Sequence, residues 1–281
     1  MKIRIHAIIM ALNEEIFIEN QLSTLYPFCS GISVLTQFDR DWYGKRVIPD
    51  KTAEIVANFP DPEGKIQLVL RRWRDQAAAL NMEMASLSSR PHQHVQSHGS
   101  DHDDIAKLHD TPDYFWIVDA DEFYDIDTLP RIIARLSKLR PRGMRVFGLN
   151  YIGTWNRQVP LSVVEFCHFG FLRPGVKIKF VRRVTWNESR VSKLLKMLHL
   201  PDISPLIFGF DICPIDVGYF HHGCWLGDRK RFSSKVSKSA HPETNTLEYQ
   251  AKVLQLPYVL IPKANLPKNI QHANWPAAFF E

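Results

Sequence analysis

Alternating apolar runs and amphipathic stretches in the first half of the chain constrain its fold more than any other feature. Four runs rich in β-branched and aromatic residues indicate strands at 3–10, 31–36, 66–70 and 114–118. Periodic apolar positions predict helices at 14–25, 51–59 and 74–87, followed by a helix at 129–139 and a strand at 144–150. This order predicts an α/β fold with a mostly parallel sheet, helices on both faces and a less regular C-terminal part.

The fourth apolar run ends abruptly in acidic residues. Residues 114–118 are followed directly by Asp119-Ala-Asp121. Open α/β sheets bind ligands outside the carboxyl ends of their strands, and two carboxylates separated by one small residue suit a hard divalent cation that also holds a diphosphate. Four Asp-x-Asp tripeptides occur in the chain, and this is the only one that directly follows an apolar run. Another contains Asp127, which precedes a predicted helix start at Thr128.

Composition and cysteine usage indicate a globular protein of a reducing compartment. The 281 residues are 45% hydrophobic and 23% charged, which is enough for one large domain. No apolar stretch reaches the roughly 20 residues of a membrane span, and the start of the sequence lacks the layout of a signal peptide. The four cysteines form no Cys-x-x-Cys pair, which favours free thiols. We therefore expect a cytoplasmic protein.

The net charge of +5 is concentrated in one region. Between residues 177 and 238, twelve Lys and Arg residues outnumber five Asp and Glu residues, a local surplus of +7. Such a surplus suits phosphate groups, an anionic membrane surface or nucleic acid. Within it, 190–200 is amphipathic and predicts a helix packed on the domain or, as an alternative, one that makes peripheral contact with the inner membrane.

A polar stretch at 88–111 interrupts the alternation of strands and helices. It holds five histidines at irregular spacing among Ser, Gln, Asp and Gly residues. This composition favours a mobile polar insertion over a metal site.

Three predicted strand ends carry a distinctive combination of amide and acidic side chains. The first strand runs into Asn13-Glu-Glu15, Asp39 follows the second, and Asp119-Ala-Asp121-Glu-Phe ends the fourth. In this order they resemble the family 2-like glycosyltransferases of the GT-A fold. The resemblance is good over 1–150 and patchy afterwards. It implies a single catalytic domain over 1–281, in which 1–150 binds a nucleotide sugar and 151–281 binds the acceptor.

The resemblance implies transfer of one sugar from a nucleoside diphosphate donor, with a UDP-sugar favoured. It also implies roles for the strand-end residues: Asn13, Glu15 and Asp39 would line the nucleoside pocket, Asp119 would lie near the ribose or donor sugar, and Asp121 would hold Mn²⁺ or Mg²⁺ on the diphosphate. The chemistry of the reaction independently favours a metal here, because a departing nucleoside diphosphate develops negative charge that a metal or basic groups must stabilise.

The region after the second strand departs from the family pattern. The compact Asp-Gly-Ser-Thr-Asp turn is missing, and a longer segment separates Asp39 from Asp50. Asp41 or Asp50 could therefore take the place of Asp39.

The second half resembles the acceptor region of these enzymes. Glu165 precedes a basic strand-like segment at 176–183, and we predict it as the base that deprotonates the acceptor hydroxyl in an inverting displacement. Asp211, Asp216 and Asp228 remain alternatives for this base. The acceptor is expected to be a glycan or a lipid-linked glycan.

A late pair of histidines precedes a basic cluster. In similar enzymes a late His completes the metal shell and nearby basic side chains hold the diphosphate, which by resemblance points to His222, Arg229 and Lys235. If this segment is a strand, His221 and His222 point to opposite faces, so at most one of them can bind the metal.

Two other classes of function compete with a transferase. A haloacid-dehalogenase-like phosphatase would use Asp119 and Asp121, although Glu122 and Phe123 replace the Gly-Thr that usually follows. A basic nucleic-acid-binding protein would use the charge surplus, but the sequence shows no RNA-binding or helix-turn-helix motif, and we expect no nucleic-acid partner.

Overall fold

The computed structural model describes residues 3–37, 39–41, 44–89, 111–164, 166–180, 183–184, 209–227, 231 and 247–280. Its strands are β1 (Ile5–Met10), β2 (Gly31–Thr36), β3 (Ile66–Leu70), β4 (Tyr114–Asp119), β5 (Glu122–Tyr124), β6 (Gly143–Gly153), β7 (Arg157–Val159), β8 (Cys167–Leu172), β9 (Ile178–Phe180), β10 (Arg183–Val184), β11 (Phe210–Ile212), β12 (Phe220–Leu226) and β13 (Val259–Leu260). Its α-helices are α1 (Ile18–Leu25), α2 (Thr52–Asn58), α3 (Gln76–Ser89), α4 (Leu129–Leu139), α5 (Leu247–Leu254) and α6 (Lys268–Gln271).

One large sheet contains all of these strands except β9 and β10, which form a separate two-stranded sheet. Its strands follow the order β13-β7-β6-β8-β4-β1-β2-β3. The β3-β2-β1-β4 part is entirely parallel, and β8 joins it in antiparallel fashion to β6. Outside this order, β12 runs parallel to β6 and antiparallel to β5. The predicted mixed α/β class with a mostly parallel central sheet is confirmed.

Alternation along the central strands produces two apolar layers. Ile5, Ala7 and Ile9 of β1 pack in a cluster with residues of α1, α2 and α4, whereas Ile8 and Met10 pack in a second cluster with α3. Successive side chains of a strand point to opposite faces, so a strand that is apolar throughout must be covered on both sides. The prediction of helices on both faces is therefore also confirmed.

The first predicted helix begins four residues later in the structure than the sequence indicates. A helix was expected from residue 14, but α1 begins at Ile18. The N–H groups of Glu14 and Glu15 donate instead to Thr52 Oγ1 and Asp50 Oδ2, at 2.7 and 3.0 Å. Asn13 has a φ of 57°, a left-handed conformation that Asn tolerates better than most residues. Because these backbone N–H groups bond to the 50–52 segment, residues 13–15 form a loop, and the helix begins only after them.

Aromatic packing ties the C-terminal part to the first half. Phe17 and Phe123 lie in one cluster with Trp155, Trp275 and Phe279. Ring centroids of Phe123 and Trp275 are 5.1 Å apart, and those of Phe17 and Trp275 are 5.6 Å apart, both in edge-on geometry. Each such pair adds about 0.5–1.5 kcal/mol beyond its buried area. The cluster thus fixes β5 and the start of α1 against residues 275–279.

None of the helices in the described part of the chain is long and apolar enough to cross a membrane. No disulfide joins the four cysteines, all of which lie among the described residues. The predicted division into a donor half and an acceptor half stays a prediction.

Candidate active site

The carboxyl ends of the parallel strands meet at one edge of the sheet. Met10 at the end of β1 pairs in register with Leu35 of β2 and with Asp119 of β4. The segments that carry Asn13, Asp39 and Asp121 therefore leave the sheet at the same edge. Ligands of open α/β sheets bind at such an edge.

Strand β12 brings His222 to Asp121. Beyond Asp121 the chain forms β5, which pairs with β12 so that His222 lies opposite Glu122. The Gly223 N–H donates to the Asp121 carbonyl at 2.8 Å. As a result, Asp121 Oδ1 and His222 Nε2 are 3.9 Å apart, and both side chains are largely buried. Residues 101 positions apart in the sequence thus share one site.

The Asp121–His222 pair has a geometry that suits a divalent cation. Mg²⁺ binds oxygen at about 2.0–2.1 Å, so two donors on opposite sides of the ion are separated by about 4.2 Å and adjacent donors by about 3 Å. The observed 3.9 Å falls between these limits. Among the described residues no group of three or more His, Cys, Asp or Glu side chains could hold a metal ion. An ion at this pair would therefore take its other ligands from a diphosphate and water.

A row of polar side chains crosses three strands at this point. In register, His222 of β12 lies between Glu122 of β5 and Asn150 of β6. His222 Nδ1 lies 2.8 Å from Asn150 Oδ1, and Glu122 Oε2 accepts the Asp119 N–H at 3.1 Å. The sequence prediction missed Asn150, although it is the polar last residue of the predicted strand 144–150.

The neighbouring His221 lies on the other face of β12. Its Nδ1 lies 2.6 Å from the Tyr151 hydroxyl, and its ring packs against Tyr151 and Tyr219. Burial lowers the pKa of His221 to about 3. The expectation that the two histidines point to opposite faces is confirmed.

Asn13 and Glu15 join the loops that follow β1 and β2. Asn13 Nδ2 donates to the Ile48 carbonyl at 2.9 Å, and Glu15 Oε2 accepts the Lys51 N–H at 3.1 Å. Asp50 Oδ1 accepts the Thr52 N–H at 2.8 Å, at the start of α2. These side chains shape the loops, and their contact with a nucleoside stays a prediction.

Asp39 and Arg72 form an ion pair beyond β2 and β3. Arg72 Nε and Nη2 donate to the two carboxylate oxygens of Asp39 at 3.2 and 3.0 Å. Both side chains are well exposed, so the pair is open to a ligand. Its rival Asp41 is buried, and Asp41 Oδ1 accepts the Lys45 N–H at 2.9 Å within its own loop. Arg72 was not predicted as a site residue, although it is the second residue after a predicted strand.

Three predicted site residues, Glu165, Arg229 and Lys235, lie outside the described residues, as do the 190–200 segment and residues 90–110 of the polar stretch. Asp211, an alternative to Glu165, accepts two bonds from Arg135 at 2.6 and 2.9 Å. It pairs with Met144 near the start of β6, at the opposite edge of the sheet from Asp121. Asp216 lies in the following loop, where its carbonyl accepts from Arg131.

Comparisons with known proteins give a coarse likeness in structure alone. Neither a protein-family model nor a curated protein matches the chain. Among solved structures, S. aureus TarS 1–349 is similar at 15% identity and a TM-score of 0.35, covering 89% of this chain and 69% of that one. The same TarS fragment in complex with UDP-GlcNAc gives 13% identity and a TM-score of 0.38, covering 89% and 70%. These values are too low to assign a family, a function or a site to this chain.

Proposed function

We propose that the chain is a metal-dependent, inverting glycosyltransferase. It would move one sugar from a nucleoside diphosphate donor, with UDP favoured, to a glycan or lipid-linked acceptor. The observation that carries the proposal is the Asp121–His222 pair, 3.9 Å apart at the carboxyl edge of a parallel sheet. The order of strand-end motifs in the sequence supports it.

Asp121 and His222 would hold Mn²⁺ or Mg²⁺. A carboxylate oxygen and an imidazole nitrogen suit Mn²⁺, and a diphosphate can complete the octahedron with water. When bound, the ion would neutralise the negative charge that develops as the nucleoside diphosphate leaves. Arg229 and Lys235, which follow β12 in the sequence, are proposed to share this task.

Glu165 is proposed as the base for the acceptor hydroxyl. The residue after it, Phe166, stacks on the His222 ring with centroids 4.5 Å apart. This contact puts Phe166 beside the metal pair, and the proposal for Glu165 rests on its being the neighbour of Phe166 in the sequence. A carboxylate near the reacting centre can accept the hydroxyl proton as the acceptor oxygen attacks the anomeric carbon.

The Asp39–Arg72 pair supports uracil as the nucleobase. Uracil presents an N–H donor between two carbonyl acceptors, and cytosine presents a bare acceptor nitrogen at the corresponding position. A carboxylate oxygen beside a guanidinium can accept from the uracil N–H while the guanidinium donates to a neighbouring carbonyl. Cytosine would place two acceptors against each other.

A thermal-shift screen of UDP, CDP and GDP, each with and without Mn²⁺, tests this proposal. We expect UDP to raise Tm only when Mn²⁺ is present. Saturation at 100 times Kd adds about 2.7 kcal/mol, or roughly 5 °C for a chain of this size. Asp121→Asn should abolish the metal-dependent part of the shift. Asp127→Asn is the matched control, because Asp127 belongs to another Asp-x-Asp tripeptide but is exposed just before α4.

The two competing functions predict different results. If no nucleoside diphosphate raises Tm with any divalent metal, the transferase proposal is wrong. Hydrolysis of p-nitrophenyl phosphate that is lost in Asp119→Asn would instead support the phosphatase. Salt-sensitive retention on an immobilised oligonucleotide would support a nucleic-acid-binding protein.

A further inference from the structure

The imidazole of His222 is contacted by side chains of two other segments of the chain, at its Nδ1 atom and on its ring face. Its strand, β12, lies between β5 and β6, and His222 pairs in register with Glu122 on one side and Asn150 on the other. Directly paired residues of adjacent strands place their side chains on the same face. Asn150 is 2% exposed, so its amide has little access to solvent.

The contact between Asn150 and His222 defines where the ring proton lies. Asn150 Oδ1 is 2.8 Å from His222 Nδ1. An amide oxygen only accepts hydrogen bonds, so Nδ1 carries the hydrogen and donates it. In the neutral imidazole, Nε2 then carries no proton, and this atom lies 3.9 Å from Asp121 Oδ1. The amide thereby selects the ring form that can bind a cation next to Asp121.

A second contact fixes the plane of the ring. Phe166 stacks on His222 at an interplanar angle of 11°. Gly148 makes room for this arrangement, because a Cβ there would come within 2.5 Å of both Phe166 and Phe220. The Gly148 N–H also donates to the Phe166 carbonyl at 2.8 Å. Rotation of the His222 ring out of its plane would therefore require Phe166 to move.

We infer that Asn150 is a positioning residue: it holds His222 in the Nδ1–H form and so presents Nε2 to the metal, while Phe166 keeps the ring in plane. The inference rests on the proposed metal site. Groups that accept the second ring N–H of a metal-binding histidine commonly change metal affinity by 10–100-fold when mutated.

The first test needs no metal and no substrate. Nitrogen-15 NMR of the metal-free full chain with labelled histidine distinguishes the two neutral ring forms, and His222→Gln identifies its signals. At a pH where His222 is neutral, we expect the proton on Nδ1. Asn150→Leu removes the acceptor while keeping the branch at Cγ, and it should shift the population towards Nε2–H. Asn150→Asp keeps an oxygen in place and should retain the Nδ1–H form.

The second test measures metal affinity by titration of Mn²⁺ in the presence of saturating UDP. We expect Asn150→Leu to weaken Mn²⁺ binding by about 10–100-fold. Asn150→Asp should stay within about threefold of the wild type, because it keeps an oxygen that accepts the His222 Nδ1–H. Phe166→Leu should weaken Mn²⁺ binding while leaving the Nδ1–H form in place, which separates the effect of ring plane from that of ring form.

Each outcome decides the inference. A neutral wild-type His222 ring that carries its proton on Nε2 overturns it without reference to any variant. An Asn150→Leu protein with the wild-type ring form and Mn²⁺ affinity overturns it as well. If the wild type binds no Mn²⁺ with UDP, the proposed function fails, and the NMR result still decides whether Asn150 sets the ring form.

Discussion

The two faces of β12 give the same side chain two different environments. His221 is 2% exposed and His222 is 9% exposed, so burial alone hardly separates them. His221 lies among the rings of Tyr151 and Tyr219, and its pKa falls to about 3 because burial disfavours the charged form. His222 instead lies beside a carboxylate and an amide. The two histidines therefore differ in their neighbours across the sheet rather than in residue type or depth, and the proposal that His222 binds the metal rests on that difference.

Removing the carboxylate from the His222 face should give the largest effect. Asp121→Asn keeps the volume but removes the charge that we propose for the metal. We expect the release of UDP from a UDP-sugar to fall about 100–1000-fold, as when one electrostatic stabiliser of a transition state is lost. Asp127→Asn should remain near the wild-type rate. If Asp121→Asn and the wild type release UDP at equal rates, Asp121 has no role in the reaction.

Substituting His222 and His221 in separate variants compares the two faces of β12 directly. His222→Gln should weaken Mn²⁺ binding in the presence of UDP by about 10–100-fold, since one of two protein ligands is replaced by a weaker one. His221→Phe should leave that affinity within about threefold. A larger loss for His221→Phe than for His222→Gln, measured by the same titration, would reverse the assignment of the two faces.

The His221 face should instead control the pH dependence of stability. The pKa of His221 is lowered from 6.5 to about 3 in the folded chain, so between these values the unfolded state binds a proton that the native state does not. Stability should therefore fall as the pH drops from 6.5, by at most about 1.4 kcal/mol per pH unit. Urea unfolding at pH 7.5 and 5.0 should show a smaller difference for His221→Phe. If the change in unfolding free energy between the two pH values is the same in the wild type and in His221→Phe, His221 is not the source of the pH dependence.

The smallest effect is expected at the nucleobase, away from β12. Asp39→Asn replaces an acceptor by an amide and breaks the exposed pair with Arg72. We expect UDP affinity in the presence of Mn²⁺ to fall roughly tenfold, the order of one hydrogen bond to a charged group, and the preference for UDP over CDP to narrow. Calorimetric titration with both nucleotides measures this. If the ratio of UDP affinity to CDP affinity is unchanged in Asp39→Asn, Asp39 does not contact the nucleobase.

Local patterns in the sequence were enough to predict the sheet and its helical layers. The strands at 31–36 and 66–70 and the helix at 129–139 agree with β2, β3 and α4 at both ends. Their apolar periodicity reflects burial against the layers on each side, which is a local property of the sequence. The start of α1 could not be predicted, because Glu14 and Glu15 bond to residues of another loop.

Sequence patterns predicted some residues of the candidate site and missed others. Asp121 follows an apolar run, and the opposite faces of His221 and His222 follow from strand geometry. Asn150 and Arg72 were missed because their roles depend on registry between distant strands: Asn150 faces His222 only through the pairing of β6 with β12. Which distant strand pairs with β6 is decided by tertiary packing, so the partner of Asn150 could not be predicted from its own segment.

The most direct test of the central claim is pulsed electron paramagnetic resonance of Mn²⁺ bound to the full chain with UDP. A coordinated imidazole nitrogen modulates the echo of the Mn²⁺ electron spin. We predict this nitrogen modulation in the wild type and in His221→Phe, and its loss in His222→Gln. A protein that binds Mn²⁺ and UDP together without any nitrogen modulation, or that keeps the modulation in His222→Gln, would contradict the account.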